Sequence, residues 1–385
     1  MAAVQVDGLV EPGFGGVADA LARNFERSGE VGAACCLYRE GRPVVDAWAG
    51  QADRTPGRAW DRDTTVLTFS CTKGITAICA NLLIERGALD PDAPVAHCWP
   101  EFGANGKEGV LVRHVLSHTA GLPVVEGDFT LDQALAWDPV VEQLARQRPR
   151  WEPGTRSGYH VRSYGWLTGE LVRRVTGRTI GRFLADEIAG PLGAEVWIGL
   201  PEAEEPRVAR IVPPPEPEDP DVRALMEAVF APGTLMGDAM SGPSNLFHYD
   251  EMWNTRRLHA VELPSSNGIM SARGLARVYA ATVAEVDGVR VLQGDTVERA
   301  RAVEVDGPDA VLGFPMRYGL GFGLGPSLPP ACGPGAFGHS GAGGSLGFAD
   351  AAEGIGFGYV MNAMQLAATV DPRQQRLVRA VYAAL

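Results

Sequence analysis

The spacing of apolar residues changes several times along the chain. In "VADALARNFER" (17–27) they fall three and four apart, which puts them on one face of a helix. "GAACCLYREGRPVVDAWAG" (32–50) reads as two β-rich runs around Arg39-Glu40-Gly41-Arg42, and predicts a hairpin with a tight turn. After Ser70 the helical period returns at Ile75, Ile78, Cys79, Leu82 and Leu83, with Gly87 as its stop. Another helix is predicted at Tyr164, Leu167, Leu171, Val172 and Val175, ending at Gly177. From about 200 to 262 the pattern fades. "PPPEPEDPD" (213–221) reads as an acidic Pro-rich loop, and 231–245 as a loop rich in Gly and Met. Order resumes in 271–286, a helix with Ser271 as candidate N-cap. Segments 318–325, 335–344 and 344–364 read as consecutive antiparallel strands, and a last helix spans about 371–384.

Strands at both ends with helices between them predict an α/β (α+β) fold in which an antiparallel sheet is flanked by helices. The expected organisation is one unit over 1–385. Its α/β part comes from about 1–85 and 270–385, and its helical part from about 86–269.

Composition narrows the partners. A hydrophobic fraction of 45% and a charged fraction of 21% are those of a globular protein. A net charge of −13 argues against nucleic acid and against an anionic membrane surface. No run of about 18 apolar residues is present to span a bilayer. The N-terminal segment has Asp7 and Glu11, and no cation before Arg23, unlike a secretory signal; a cytoplasmic location is the expectation. The six cysteines show no metal-ligand spacing, and adjacent Cys35 and Cys36 read as small buried hydrophobes. Neither a metal nor another cofactor is expected.

Only two of the 34 basic residues are lysines, Lys73 and Lys107. Lys73 follows Ser70 by three positions in "TFSCTKGI", so on a helix the two side chains share a face. Serine needs a neighbouring base to act as a nucleophile. A lysine whose pKa is depressed can supply one, whereas an arginine stays protonated. S-x-x-K alone is common by chance, so two later segments matter. "EPGTRSGYHVRSYGWLTGELVRRVTG" (152–177) sets Tyr159 after a Pro-Gly turn, and "FGHSGAGGS" (337–345) sets His339-Ser340-Gly341 on a late strand.

With "FSCTKG" and "HVLSHTAGLP" (114–123), these segments resemble the serine β-lactamase and penicillin-binding-protein superfamily, nearest to its class C β-lactamase-like esterase branch. The likeness runs from about residue 15 to the end. It implies a β-lactamase/transpeptidase-like fold, with Ser70 as acyl-forming nucleophile and Lys73 as its proton-transfer partner. By the same resemblance Tyr159 helps deprotonate the serine and later shuttles the proton, its phenolate favoured by the Lys73 ammonium. The backbone N–H groups of Ser70 and Ala342 form the oxyanion hole. His339, Ser340 and Gly341 lie where the family's Lys-Thr-Gly strand runs, and Tyr159-His160-Val161 where its Tyr-x-Asn element lies. These positions, His160 and Val161 included, are the expected substrate contacts. His339 and Val161 replace residues that bind the β-lactam carboxylate and amide, which points away from efficient β-lactam hydrolysis. His118 reads as a packing and turn residue.

The expected reaction is hydrolysis of a small-molecule carboxylic ester through a Ser70 acyl-enzyme. Its rivals are transfer of the acyl group to an amine or alcohol in secondary metabolism, and a catalytically silent binding protein. "GHSGA" (338–342) is not a nucleophile elbow, because no histidine follows Ser340 in the chain. Trp253, Phe247 and Met236 are candidate apolar lining of the substrate pocket.

Overall fold

The computed structural model describes residues 4–55, 57–365 and 370–385. Nine strands build the main antiparallel sheet: β1 (Asp7–Val10), β2 (Gly32–Arg39), β3 (Arg42–Asp53), β4 (Val305–Pro308), β5 (Pro315–Tyr318), β6 (Gly323–Leu324), β7 (Ala336–Ser340), β8 (Leu346–Asp350) and β9 (Ile355–Met361). Their order is β1-β3-β2-β9-β8-β7-β6-β5-β4, and Arg58–Ala59 pairs with β3 off this path. The two ends of the chain therefore meet where β2 pairs with β9, Cys35 opposite Tyr359 and Cys36 opposite Gly358. The predicted hairpin turns at Glu40 (φ 49°) and Gly41 (φ 78°), the left-handed pair that a two-residue turn requires.

Five helices matter for the site: α1 (Gly15–Ser28), α2 (Cys71–Glu85), α3 (Ser163–Thr176), α4 (Ala272–Val283) and α5 (Pro372–Ala384). Alternation along the strands divides two apolar layers. Cys35, Leu37, Phe357 and Tyr359 face α1 and α5, where Val17, Leu21, Leu377 and Val381 cover them. Cys36, Tyr38 and Val360 face α4 and the larger core. The glycines of "GIGFGYV" fall on the α4 side. A Cβ on Gly356 would meet Ala280 N at 2.3 Å, and one on Gly358 would meet Ala272 O at 2.4 Å, so α4 lies directly on bare backbone.

Three expectations change. Residues 318–325 are not one strand. The backbone leaves β5, takes a positive φ (89°) at Gly321 against Ala77 of α2, and rejoins the sheet at β6. The Pro-rich loop runs into a helix, Pro220–Val229, because Asp219 caps it with Pro in the first turn. The loop 231–245 contains the helix Leu235–Ser241, where the Thr234 hydroxyl accepts from Gly237 N–H. Among the described residues no helix is long and apolar enough to cross a membrane.

A second, three-stranded sheet joins Val66–Leu67, Ile269–Met270 and Val196–Trp197. It delivers the chain to Ser70: Thr68 N–H donates to Gly268 O at 2.9 Å, and Thr68 Oγ1 to the same oxygen at 3.1 Å.

Candidate active site

Phe69 links the short strand Val66–Leu67 to α2 with φ 46°, a left-handed conformation that costs an aromatic residue energy and is held only by its surroundings. Its ring is clamped edge-on by Tyr249 at 5.2 Å and Trp253 at 5.3 Å. The bend places Ser70 at the N-cap of α2, half-exposed amid buried neighbours.

Lys73 is one turn on and fully buried. Its Nζ lies 3.1 Å from Ser70 Oγ and 3.0 Å from the Ser265 carbonyl, to which it donates. Burial pushes the amine well below the ordinary lysine range, and the Arg162 cation pushes it further. Both effects favour the neutral amine, the form that can take the Ser70 proton. Arg162 is itself buried, its guanidinium 4.7 Å from the Phe247 ring and 5.3 Å from Trp253. It donates to Met240 O at 3.0 Å and to Ser266 Oγ at 3.1 Å, while Nη2 has no partner among the described residues. Ser265 Oγ donates to Arg162 O at 2.7 Å; with Ser265 O on the Lys73 amine and Ser266 Oγ on the guanidinium, one short segment touches both cations. The other lysine is structural: Lys107 donates to the carbonyls of Ala104 and Gln147, pinning two loops.

Asp309 holds the Tyr159 segment. It accepts from the N–H groups of Tyr159, Val311 and Leu312, each at 2.9 Å, and from Ser157 Oγ at 3.0 Å. The Tyr159 ring lies under Lys73, with Nζ 4.8 Å from its centroid. Its hydroxyl is 3.4 Å from His339 Nε2. His339 Nδ1 is 2.6 Å from Ser340 O, so Nδ1 carries the hydrogen and Nε2 offers its lone pair to the tyrosine. Burial first, and then Lys73, push the imidazole down to about 3, so it is neutral. Burial also pushes the Tyr159 phenol up, although the Ser70 hydroxyl pulls it back in part. Desolvation keeps the proton on Tyr159 and leaves Lys73 as the group poised to accept one.

β7 ends beside Ser70. Gly341 N–H donates to Ser345 O at 2.7 Å, and Ser345 Oγ donates to Thr68 O at 2.8 Å. A Cβ on Gly341 would sit 2.1 Å from Thr68 O, so only bare backbone fits there. The turn Gly341–Ser345 follows, and Ala342 lies on it. Among the described residues, neither Ser70 N–H nor Ala342 N–H donates to a protein acceptor. Ser340 is half-exposed, its Oγ 3.5 Å from Gln374 Oε1.

The two other expected contacts turn away. His160 is buried and spends both ring nitrogens on backbone: Nε2 accepts from Leu122 N–H at 3.0 Å, and Nδ1 lies 2.6 Å from Gly158 O. Val161 is buried in the apolar cluster around Tyr159 and Tyr318. Consecutive side chains thus part: Tyr159 lies against Lys73 and His339, and His160 against the backbone of Leu122 and Gly158. His118 (φ 62°) packs against Tyr159, Tyr164 and Tyr318 with ring centroids 4.8–4.9 Å apart, and accepts from His160 N–H. Trp253 and Phe247 stand behind Phe69 and Arg162, fully buried, whereas Met236 is partly buried against the Tyr159 cluster. Arg162, Ser265 and Asp309 carried no signal in the sequence beyond the three-residue step from Tyr159 to Arg162.

The family model described as Beta-lactamase matches residues 18–380. The chain belongs to that family. Among its relatives, the esterase/beta-lactamase LipL of Mycobacterium tuberculosis is 35% identical over 93% of this chain and 83% of its own length. A family VIII carboxylesterase of known structure is 37% identical, with a TM-score of 0.89 over 99% of this chain and 100% of that one. EstA from Arthrobacter nitroguajacolicus Rue61a is 33% identical, with a TM-score of 0.88 over 99% and 98%. This beta-lactamase-family chain therefore has the expected fold, an antiparallel sheet flanked by helices.

Proposed function

We propose that the protein is a serine hydrolase of carboxylic esters that works through an acyl-enzyme on Ser70. The observation that carries this reading is the 3.1 Å approach of Ser70 Oγ to a buried lysine held in the neutral direction. Neutral Lys73 accepts the Ser70 proton as Oγ attacks the ester carbonyl. The oxyanion that forms is received by the Ser70 and Ala342 N–H groups. Tyr159 then gives its proton to the departing alkoxide. The phenolate exists only at this stage, when the new Lys73 ammonium above its ring stabilises it and the proton on Lys73 can refill it. Water repeats the sequence in reverse to release the acid.

The surroundings favour uncharged substrates with an apolar group. His339 is neutral where the wider family places a lysine for an anion. Val124, Met236, Met240, Leu312 and Met316 pack beside Tyr159. Soluble esterase substrates without charge are therefore the first to assay, with a fluorophosphonate probe in parallel. Ser70→Ala is expected to abolish both hydrolysis and labelling. A Ser70→Ala protein that keeps full ester hydrolysis would sink the reading.

A further inference from the structure

The turn Gly341–Ser345, which carries Ala342, is tied to the Ser70 segment by the Ser345 hydroxyl at its end, but its middle residues, Ala342, Gly343 and Gly344, bring no polar side chain to fix it. Gly343 (φ 87°) and Gly344 (φ 128°) are left-handed, and this leaves their carbonyls pointing into the protein. Two side chains from the first turn of α5 meet them. Arg373 Nη2 donates to Gly343 O, and Gln374 Nε2 donates to Gly344 O and Ser345 O, each at 3.0 Å. A Cβ on Gly344 would sit 2.2 Å from Arg373 Nη2, so the guanidinium fits directly under the turn.

The arginine is set by a buried frame. Asp371 Oδ2 accepts from Nη2 at 2.7 Å, and both its oxygens lie 3.1–3.2 Å from Nε. Glu30, at the end of the α1 connection, is 3.3 Å from Nη1 and accepts from the Tyr359 hydroxyl of β9. Nη1 also donates to Ala363 O at 2.8 Å. Arg373 is completely buried, and such a network costs desolvation that apolar packing would avoid. Its shape gives a return for that cost, because every donor ends on the turn or on a group that orients the fork.

We infer that Arg373 and Gln374 are positioning residues for the turn that presents the Ala342 N–H, with Asp371 and Glu30 holding Arg373 in register. The inference rests on the reading of Ala342 as half of the oxyanion hole. The clamp touches neither nucleophile nor substrate. It sets where one donor stands when the carbonyl oxygen becomes charged, a placement on which the rate depends steeply. Ser345 extends the same control to the other donor, since its hydroxyl binds Thr68 O two residues before Ser70.

Gln374→Met keeps the size of the side chain and removes both donations; Arg373→Lys keeps the charge and loses the fork. Each is assayed for kcat and KM on an uncharged ester and for inhibition by phenylboronic acid, whose tetrahedral adduct puts an oxygen in the oxyanion position. Rates are expressed per Ser70 labelled to completion by fluorophosphonate, which removes misfolded protein from the comparison. The expected result is a fall in kcat of about ten-fold or more with KM within about two-fold, and a matching loss of boronate affinity. Should one variant fail to fold, the other decides. Unchanged kcat per labelled site with unchanged boronate affinity would overturn the inference. Ser70→Ala, run alongside, keeps the two readings apart. If it is inactive while both clamp variants behave as wild type, only the clamp falls; if it hydrolyses normally, both fall together.

Discussion

Lys73 is fully buried, but its partners are unequal. Ser265 gives it a carbonyl, Ser70 a hydroxyl, and Arg162 a repulsive charge. Desolvation and repulsion act in the same direction on its proton affinity, so removing Arg162 should raise the lysine pKa and move the acid limb of kcat/KM to higher pH. Arg162→Met is expected to lose several-fold of its activity at neutral pH and recover much of it on the alkaline side. A pH–rate profile of identical shape in both proteins would remove Arg162 from the account. Lys73→Arg should be far more severe, about 10²-fold or more in kcat, because a guanidinium cannot act as the base. The sequence pointed to Ser70, Lys73 and Tyr159 because short motifs carry them, and the fold brings the three side chains together. Arg162 was not legible there, since what makes it matter is the packing of Phe247 and Trp253 on its plane. The upward push of burial on the Tyr159 phenol was not legible either, because burial has no signature in three letters of sequence.

The elements place these groups through close approaches of bare backbone. β7 reaches the Ser70 segment only because position 341 lacks a Cβ, and α4 lies on β9 only because 356 and 358 do. The two contacts should separate in experiment. In Gly341→Ala the new methyl meets Thr68 O and Ser345 Oγ, so strand and nucleophile move apart, and kcat should fall about 10²-fold. Gly358→Ala should cost roughly 1–3 kcal/mol in stability, from overpacking against α4, with kcat per labelled site preserved. Thermal melts and active-site-titrated rates check both. The glycine-rich terminal strands were visible as strands from their alternation. Which of those glycines face a helix became clear only with the register of β9 on β2. The helices Pro220–Val229 and Leu235–Ser241 were hidden by Pro, Gly and Asp, residues that read equally as loop or as cap.

At the scale of the molecule, the sheet closes where chain segments some 330 residues apart meet, and the Glu30–Arg373 pair lies at that seam. Burial outweighs the Arg373 attraction and raises the Glu30 carboxyl from 4.5 to about 7. Between those values the folded protein holds a proton that the unfolded chain has released, so stability falls as pH rises from about 4.5 to 7 and then levels off. The gap corresponds to up to roughly 3 kcal/mol. Glu30→Gln should remove that slope, so wild type loses ground to the variant as pH increases; parallel denaturant titrations at pH 5 and pH 8 would show it. Fold and family were legible from motif order, but this seam was not, because its members share no local pattern. The site also differs in charge from the molecule around it. The chain as a whole carries −13, whereas at the site His339 is neutral and both Lys73 and Tyr159 are pushed toward their uncharged forms. An uncharged ester then approaches without long-range steering, and its kcat/KM should be flat as ionic strength rises. A substrate bearing a carboxylate is repelled by the net negative field before it reaches Ser70, so added salt should speed its capture.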